Sequence, residues 1–240
     1  MKYEAVIFSD VHARENDDEG LARLDRFLGE VAPDARRLYI LGDFFDFWFG
    51  PKQARKNPYS DILARLGELS RSGVEVTFFH GNRDFYIDAS FAARWGIRVV
   101  EDYSIEVIGG RRVYMAHGDM LCTNDRGYHR MRALVRNPVM KFILSHMPAA
   151  WAEGMARAYR AKSKRTVAAK TQWVLGIDDE AVKAAFRLGA DAVVIGHTHR
   201  RGERVFDLGE GRRILYTLGD FGKEGSYLVA GPDGLQFHNI

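Results

Sequence analysis

Apolar residues in this chain recur at two different periods, and each change of period marks a new element. Short continuous apolar runs occur at Ala5–Phe8, Leu38–Leu41, Val74–Phe79, Val113–Ala116 and Ala192–Ile195. Runs of this length, bounded by polar residues or glycine, fit buried strands. Between them, apolar recurrence at three and four positions predicts helices at about Asp17–Val31, Ser60–Ser72 and Asp88–Trp95. The segment Ser104–Ala116, broken by Gly109-Gly110, reads as a β-hairpin. A short helix after Asp178, ending near Gly189, leads into the strand Ala192–Ile195. The tail gives further strands around Glu203–Leu208, Arg213–Leu218, Ser226–Val229 and Leu235–His238, with glycine-rich turns between them. There is no internal repeat and no low-complexity segment. The pattern predicts an α/β (α+β) architecture: a mixed sheet, or two packed sheets, flanked by helices.

Composition narrows the class without naming a function. With 240 residues, the chain is long enough for one large domain spanning 1–240. A single cysteine, Cys122, excludes an internal disulfide framework and fits a reducing compartment. The first strand begins without a basic leader or cleavage site, and no apolar run approaches the ~18–20 residues of a membrane span. The expectation is a soluble, cytoplasmic protein. One stretch departs from this picture. Residues Arg126–Lys170 carry eleven Lys or Arg and one acid, Glu153, so this stretch is +10 in a chain whose net charge is only +3. Large apolar residues such as Met140, Phe142, Ile143, Leu144, Met147 and Trp151 are interleaved, and Pro138 and Pro148 divide the stretch into short helices. Such an insertion at about 126–170 suits either a solvated helical layer on the domain or an anionic lipid surface. Nucleic acid is the weaker partner, because few aromatics accompany the basic residues.

Each of the five apolar runs is followed by a cluster of metal-binding side chains. These are Ser9-Asp10-Val11-His12, Gly42-Asp43, Gly81-Asn82-Arg83-Asp84, His117-Gly118-Asp119 and Gly196-His197-Thr198-His199. Asp, His and Asn supply mixed oxygen and imidazole donors suited to a pair of divalent ions. Strand ends of an open α/β sheet are where ligands bind. Alone, a Gly-Asp pair is a common turn, and a histidine after a strand is more often a hydrogen-bonded core or surface residue. Five clusters in one order, each after a strand, argue against coincidence. Strand positions two apart share a face, so Asp10 should project with His12, and His197 with His199. Asp43 is the natural bridging carboxylate, Asn82 offers an amide oxygen and His117 a further imidazole. Two ions about 3.5–4 Å apart stabilise both attacking and leaving oxygens of a phosphoryl transfer. The chemistry predicted is two-metal hydrolysis.

This order of D-x-H, G-D, G-N-[HR]-[DE], H and G-H-x-H resembles the calcineurin-like metallophosphoesterase family over nearly the whole chain. The resemblance implies a four-layer αββα sandwich, with the helical, basic and apolar insertion forming a lid. It implies that Asp10, His12, Asp43 and His199 hold one metal, and Asp43, Asn82, His117 and His197 the other. Manganese is the family's frequent metal, although such a donor set also admits zinc or iron. Asp43, Asn82, Arg83 and His117 become the expected catalytic residues. Arg83 stands where most of the family has His, and offers a permanent bidentate donor for phosphate oxygens. An ion pair with Asp84 that steadies the loop is the alternative role.

Three strings are similar to one subfamily, the UDP-2,3-diacylglucosamine pyrophosphohydrolases of lipid A synthesis. They are Gly42-Asp43-Phe44-Phe45-Asp46-Phe47-Trp48, Gly81-Asn82-Arg83-Asp84-Phe85 and the run His117–Asp125. Arg160-Ala161-Lys162-Ser163-Lys164 and Lys170-Thr171 are similar to its nucleotide- and phosphate-binding Ser and Lys pair. The resemblance implies substrate contacts from Asn82, Arg83, Asp125, Ser163, Lys170 and His197. It also implies a lipid-linked nucleotide sugar as substrate and a cytoplasmic enzyme peripherally associated with the anionic inner membrane. Val167 stands where an Asn is common, Asn124 replaces an Asp, and Lys52-Gln53 replace an acidic pair. These departures touch the substrate contacts and leave the metal cluster whole. The rival expectation is a generic metallophosphodiesterase or nucleotide pyrophosphatase acting on a soluble substrate.

Overall fold

A computed structural model describes residues 1–48, 50–137, 139–140, 142–143, 154, 176–209, 211–231 and 234–240. Eleven strands among these form two sheets. In the first, β1 (Tyr3–Phe8), β2 (Ala35–Ile40), β3 (Glu75–Phe79) and β4 (Ile97–Val100) run parallel side by side. β10 (Ser226–Gly231) and β11 (Gly234–Asn239) extend the β1 edge antiparallel. In the second, β6 (Arg111–Ala116), β7 (Ala192–Ile195) and β9 (Arg212–Thr217) run parallel. Their antiparallel partners β5 (Tyr103–Ile108) and β8 (Gly202–Asp207) occupy the two edges.

Strand alternation sorts the apolar residues into layers. In β1, Ala5 and Ile7 face the second sheet and meet Val113, Met115, Val194 and Leu218. Val6 and Phe8 face the opposite way, against Leu24, Phe27, Leu63 and Leu66. Those four belong to α1 (Asp18–Glu30) and α2 (Tyr59–Arg71), which cover the first sheet. On the far side, Tyr114, Val193 and Leu215 pack against Val182, Ala185 and Phe186 of α5 (Asp179–Arg187). The result is the αββα sandwich expected.

Helix starts follow local chemistry. Asp17 caps α1 by accepting the Gly20 N–H at 3.2 Å, and Asp178 caps α5 by accepting that of Glu180 at 2.9 Å. The segment expected as one helix over Asp88–Trp95 is shorter: α3 (Ala89–Ala92), then a 3₁₀ turn ended by Gly96 at φ +69°. β4 was not expected, because four residues with an arginine among them carry too little periodicity to register. A further helix, α4 (Arg126–Val135), begins the basic stretch, most of which lies outside the described residues.

All five predicted clusters leave the parallel strands at one rim. The loops there approach to the limit of backbone contact. A Cβ on Gly42 would stand 2.5 Å from the Gly81 nitrogen, and one on Gly81 would stand 2.2 Å from that of Asp43. Gly81→Ala should therefore lower the unfolding free energy by about 1–3 kcal/mol, since backbone cannot swing aside. Gly231→Ala meets nothing within 4 Å and should stay within about 0.5 kcal/mol of wild type. Urea denaturation of the two variants checks the contrast.

Candidate metal centre

The ligand loops sit just beyond the strands, in a backbone conformation that ordinary residues avoid. Among the described residues, the non-glycine positions with positive φ are Asp10 (59°), His12 (52°), Asn16 (64°), Asp43 (49°), His197 (68°) and His199 (55°). Five of these six are predicted metal ligands, and such residues cluster where function demands them. This corrects the expected geometry. Asp10 and His12 converge because the chain turns left-handed after β1, not because they alternate along a strand. The same holds for His197 and His199 after β7. Inter-loop hydrogen bonds hold the turns: Asp10 N–H to Gly42 O at 3.2 Å, His12 N–H to Asp43 O at 3.0 Å, and Gly196 N–H to His117 O at 2.9 Å.

The seven predicted ligands form two adjoining groups. In one, His199 Nε2 lies 3.5 Å from Asp10 Oδ1 and 3.4 Å from His12 Nε2. The two rings are stacked, with centroids 5.0 Å apart. In the other, Asn82 Oδ1 lies 3.0 Å from His117 Nε2 and 3.1 Å from His197 Nδ1, with those nitrogens 3.2 Å apart. Asp43 Oδ1 is 3.7 Å from His117 Nε2, and Asp10, Asp43 and His117 can themselves offer one atom each to a shared ion. Asp10 and Asp43 are buried, and His117 is 1% exposed. His117 Nδ1–H donates to Leu41 O at 2.8 Å, which leaves its Nε2 lone pair for the centre.

The loops between these ligands are held by a residue to which sequence reasoning gave another task. Arg83 does not pair with Asp84. Its Nη1 binds Asp46 Oδ1 at 2.8 Å and its Nε approaches Asp43 Oδ2 at 3.4 Å. Asp84 instead accepts the backbone N–H groups of Gly81 (3.0 Å), Asp43 (3.3 Å), Phe44 (2.7 Å) and Phe45 (3.2 Å). Asp125 caps α4 by accepting the Tyr128 N–H at 3.0 Å. Ser163, Lys170 and Val167 lie outside the described residues. Two further carboxylates stand beside this group: Asp119, named in the fourth cluster without a role of its own, and Asp220, which escaped notice. Asp119 accepts from Tyr128 Oη and Arg132 Nε, and Asp220 accepts from His199 Nδ1 at 2.8 Å. The signal for Asp220 was present: Gly219-Asp220 after the run Ile214–Leu218 repeats Gly42-Asp43.

Electrostatics favour a cation here. Burial opposes protonation of His117, yet Asp43, Asp10 and Asp119 prevail and lift its pKa to about 9. Negative potential that draws a proton draws a metal ion equally. His12 and His197 are shifted the other way, chiefly by burial. Burial and the neighbouring Asp43 raise the Asp84 carboxyl to about 7. Asp10 Oδ1 and His12 Nδ1 are buried without a hydrogen-bond partner, an arrangement that proteins seldom leave uncompensated. Imidazole and carboxylate lone pairs facing one another, with orphaned acceptors among them, fit a divalent ion pair.

The family model for calcineurin-like phosphoesterases matches residues 4–201. A UDP-2,3-diacylglucosamine hydrolase of Edwardsiella ictaluri is 34% identical over 232 residues, covering 96% of this chain and 89% of that protein. A hydrolase of the same name from Azotobacter vinelandii is 36% identical, over 97% of this chain and 96% of its own. Another, from Pseudomonas putida, is 37% identical over 96% of each.

Replacing Asp84 with Ala strands four backbone donors at once. At about 1–3 kcal/mol for each buried group left unpaired, partly recovered by relaxation, unfolding free energy should fall by more than about 3 kcal/mol. Urea denaturation measures this, and a loss below about 1 kcal/mol would mean that other contacts hold the loops.

Proposed function

We propose that this chain, which belongs to the calcineurin-like phosphoesterase family, hydrolyses the pyrophosphate bond of UDP-2,3-diacylglucosamine in lipid A synthesis. The products are UMP and 2,3-diacylglucosamine 1-phosphate. The observation behind this reading is the convergence of seven metal-binding side chains in a chain similar to hydrolases of that substrate over 96% of its length. In this reading Asp10, His12, Asp43 and His199 hold one divalent ion, and Asp43, Asn82, His117 and His197 hold a second. We take both as Mn2+. When bound, such ions supply Lewis acidity and activate water.

The remaining chemistry belongs to the chain's own groups. Asp43 keeps its carboxylate where the two sets of donors meet. Burial opposes its ionisation, but His117, His12 and Arg83 beside it outweigh burial and hold its carboxyl below the usual carboxylate range. Arg83 stands at the rim with 29% of its side chain exposed, anchored to Asp46 by one face of the guanidinium. That anchoring fixes a permanent charge where phosphate oxygens enter. Asn82 and His197 complete the phosphate contacts, and Asp125, Ser163 and Lys170 serve the rest of the substrate.

The insertion at about 126–170 serves as a lid of the one domain in this reading. Its described apolar residues Leu134, Val139, Phe142 and Ile143 are 48–65% exposed, as acyl chains or an anionic inner-membrane face require. Among the described residues, no helix is long and apolar enough to cross a membrane. In this reading the enzyme is cytoplasmic and held peripherally on that face.

Incubation of the Mn2+-loaded protein with UDP-2,3-diacylglucosamine, beside bis(p-nitrophenyl) phosphate, tests the reading. UMP should appear far faster than nitrophenolate. The reverse ratio would favour the generic phosphodiesterase. Asp43→Ala should abolish turnover of either substrate with the fold retained by circular dichroism; undiminished turnover would sink the mechanism.

A further inference from the structure

Asp220 lies beyond residues 4–201, the stretch matched by the family model. It follows β9, which runs parallel to β7, so it arrives at the same rim as the five clusters. It is 4% exposed. Its Oδ2 accepts from His199 Nδ1 at 2.8 Å and from Lys223 Nζ at 2.8 Å, and its Oδ1 accepts the Lys223 N–H at 3.2 Å. The last contact caps α6 (Phe221–Glu224).

An ionised carboxylate only accepts, so His199 carries its proton on Nδ1 and presents the Nε2 lone pair. That lone pair faces Asp10 Oδ1 and His12 Nε2. His199 has a side-chain exposure of 34%, against 17% for His12 and 1% for His117, so its ring has less packing to hold it than theirs. The short helix that carries Asp220 is itself fixed to the other ligands. Phe221 packs on Phe8 and Phe27, and the Gly222 N–H donates to Asp10 O at 3.2 Å. Arg23 donates to Gly222 O from α1. Asp10 and the carboxylate that orients His199 are thus held by one element. Among the described residues no comparable link reaches Asn82, and His117 is oriented by the Leu41 carbonyl instead.

We propose that Asp220 is a positioning residue: it fixes the tautomer and ring orientation of His199 and thereby sets metal affinity in the half of the centre built from Asp10, His12 and His199. The half built from Asn82, His117 and His197 does not depend on it. The inference rests on the two-metal reading above.

The test titrates metal-free protein with Mn2+ alone and follows the free ion by electron paramagnetic resonance. Wild type should take up two ions. Asp220→Ser keeps a hydroxyl able to cap α6 but is too short to reach His199. It should bind one ion about 10–100-fold more weakly, the other within about twofold of wild type, with its melting temperature retained. An isotherm that superimposes on wild type overturns the inference. Equal weakening of both ions also overturns it, since general loosening would give that result. Lys223→Ala removes the other partner of Oδ2 and should bind both ions as wild type does; a loss matching that of Asp220→Ser would assign the effect to the charge pair and not to His199. Wild-type protein that takes up no Mn2+ would overturn the two-metal reading itself.

Discussion

Two buried carboxylates, Asp10 and Asp43, set the terms for everything near them. Each is withdrawn from water, and an isolated ion in that position costs several kcal/mol. The surrounding chain compensates in stages. Asp10 Oδ2 takes the Ser9 hydroxyl and the His197 N–H, and Asp43 Oδ1 takes the Arg83 N–H. Arg83 adds a formal charge beside Asp43. What these leave unmet is Asp10 Oδ1, facing two imidazoles that offer lone pairs as readily as protons. Cation affinity is therefore a consequence of how the carboxylates are buried.

Holding those groups together strains the backbone, since five of the proposed ligands turn through left-handed φ. Such strain persists only where the surroundings over-determine it. Two devices do so here. The loops after β1 and β2 continue a ladder past the ends of their strands, through Asp10, His12 and Ala13. Asp84 then gathers donors from both the Gly42 and Gly81 loops onto one carboxylate. The glycines at 42 and 81 allow those two backbones to touch. Rim rigidity thus depends on residues that offer no donor atom of their own to the centre.

This division explains what was legible in the sequence. Apolar runs and the residues that follow them are local, so β1, β2, β3, β6 and β7 and all seven donors could be read directly. Within each sheet their convergence also followed, because adjacent parallel strands end together; the division into two sets came from the resemblance. Pairings between distant loops could not be read. Arg83 and Asp84 are neighbours, which kept an ion pair between them open as the alternative role, but the turn sends one to Asp46 and the other into the backbone. The left-handed turns are likewise invisible to alternation, since no periodicity marks them. Asp220 was legible in kind and missed because its run resembles any edge strand of the tail. β4 lacked the length to register.

Reaction and substrate choice are encoded in separate places that meet at one point. The proposed ligands depend on strand ends, as do the expected phosphate contacts Asn82, Arg83 and His197, whereas Asp125, Ser163 and Lys170 belong to the cap of α4 and the basic insertion that α4 begins. Asp119 joins the two. It lies two residues after His117 and accepts from Tyr128 and Arg132 of α4. Burial disfavours its charge, but His117, His197, the Tyr128 hydroxyl and Arg132 hold its carboxyl down to about 2. Arg136, from the residue after α4, reaches Gly81 O at 3.2 Å and lies over the Phe85 ring, and Tyr86 Oη donates to Val135 O at 3.0 Å. The root of the insertion is therefore clamped to the third and fourth ligand loops by ionised and aromatic contacts. A change in α4 that disturbs Asp119 acts directly on His117 and His197, while it reaches the Asp10, His12 and His199 side, fastened through α6, only by way of Asp43 and the His197 N–H on Asp10. The two halves of the centre answer to different parts of the fold.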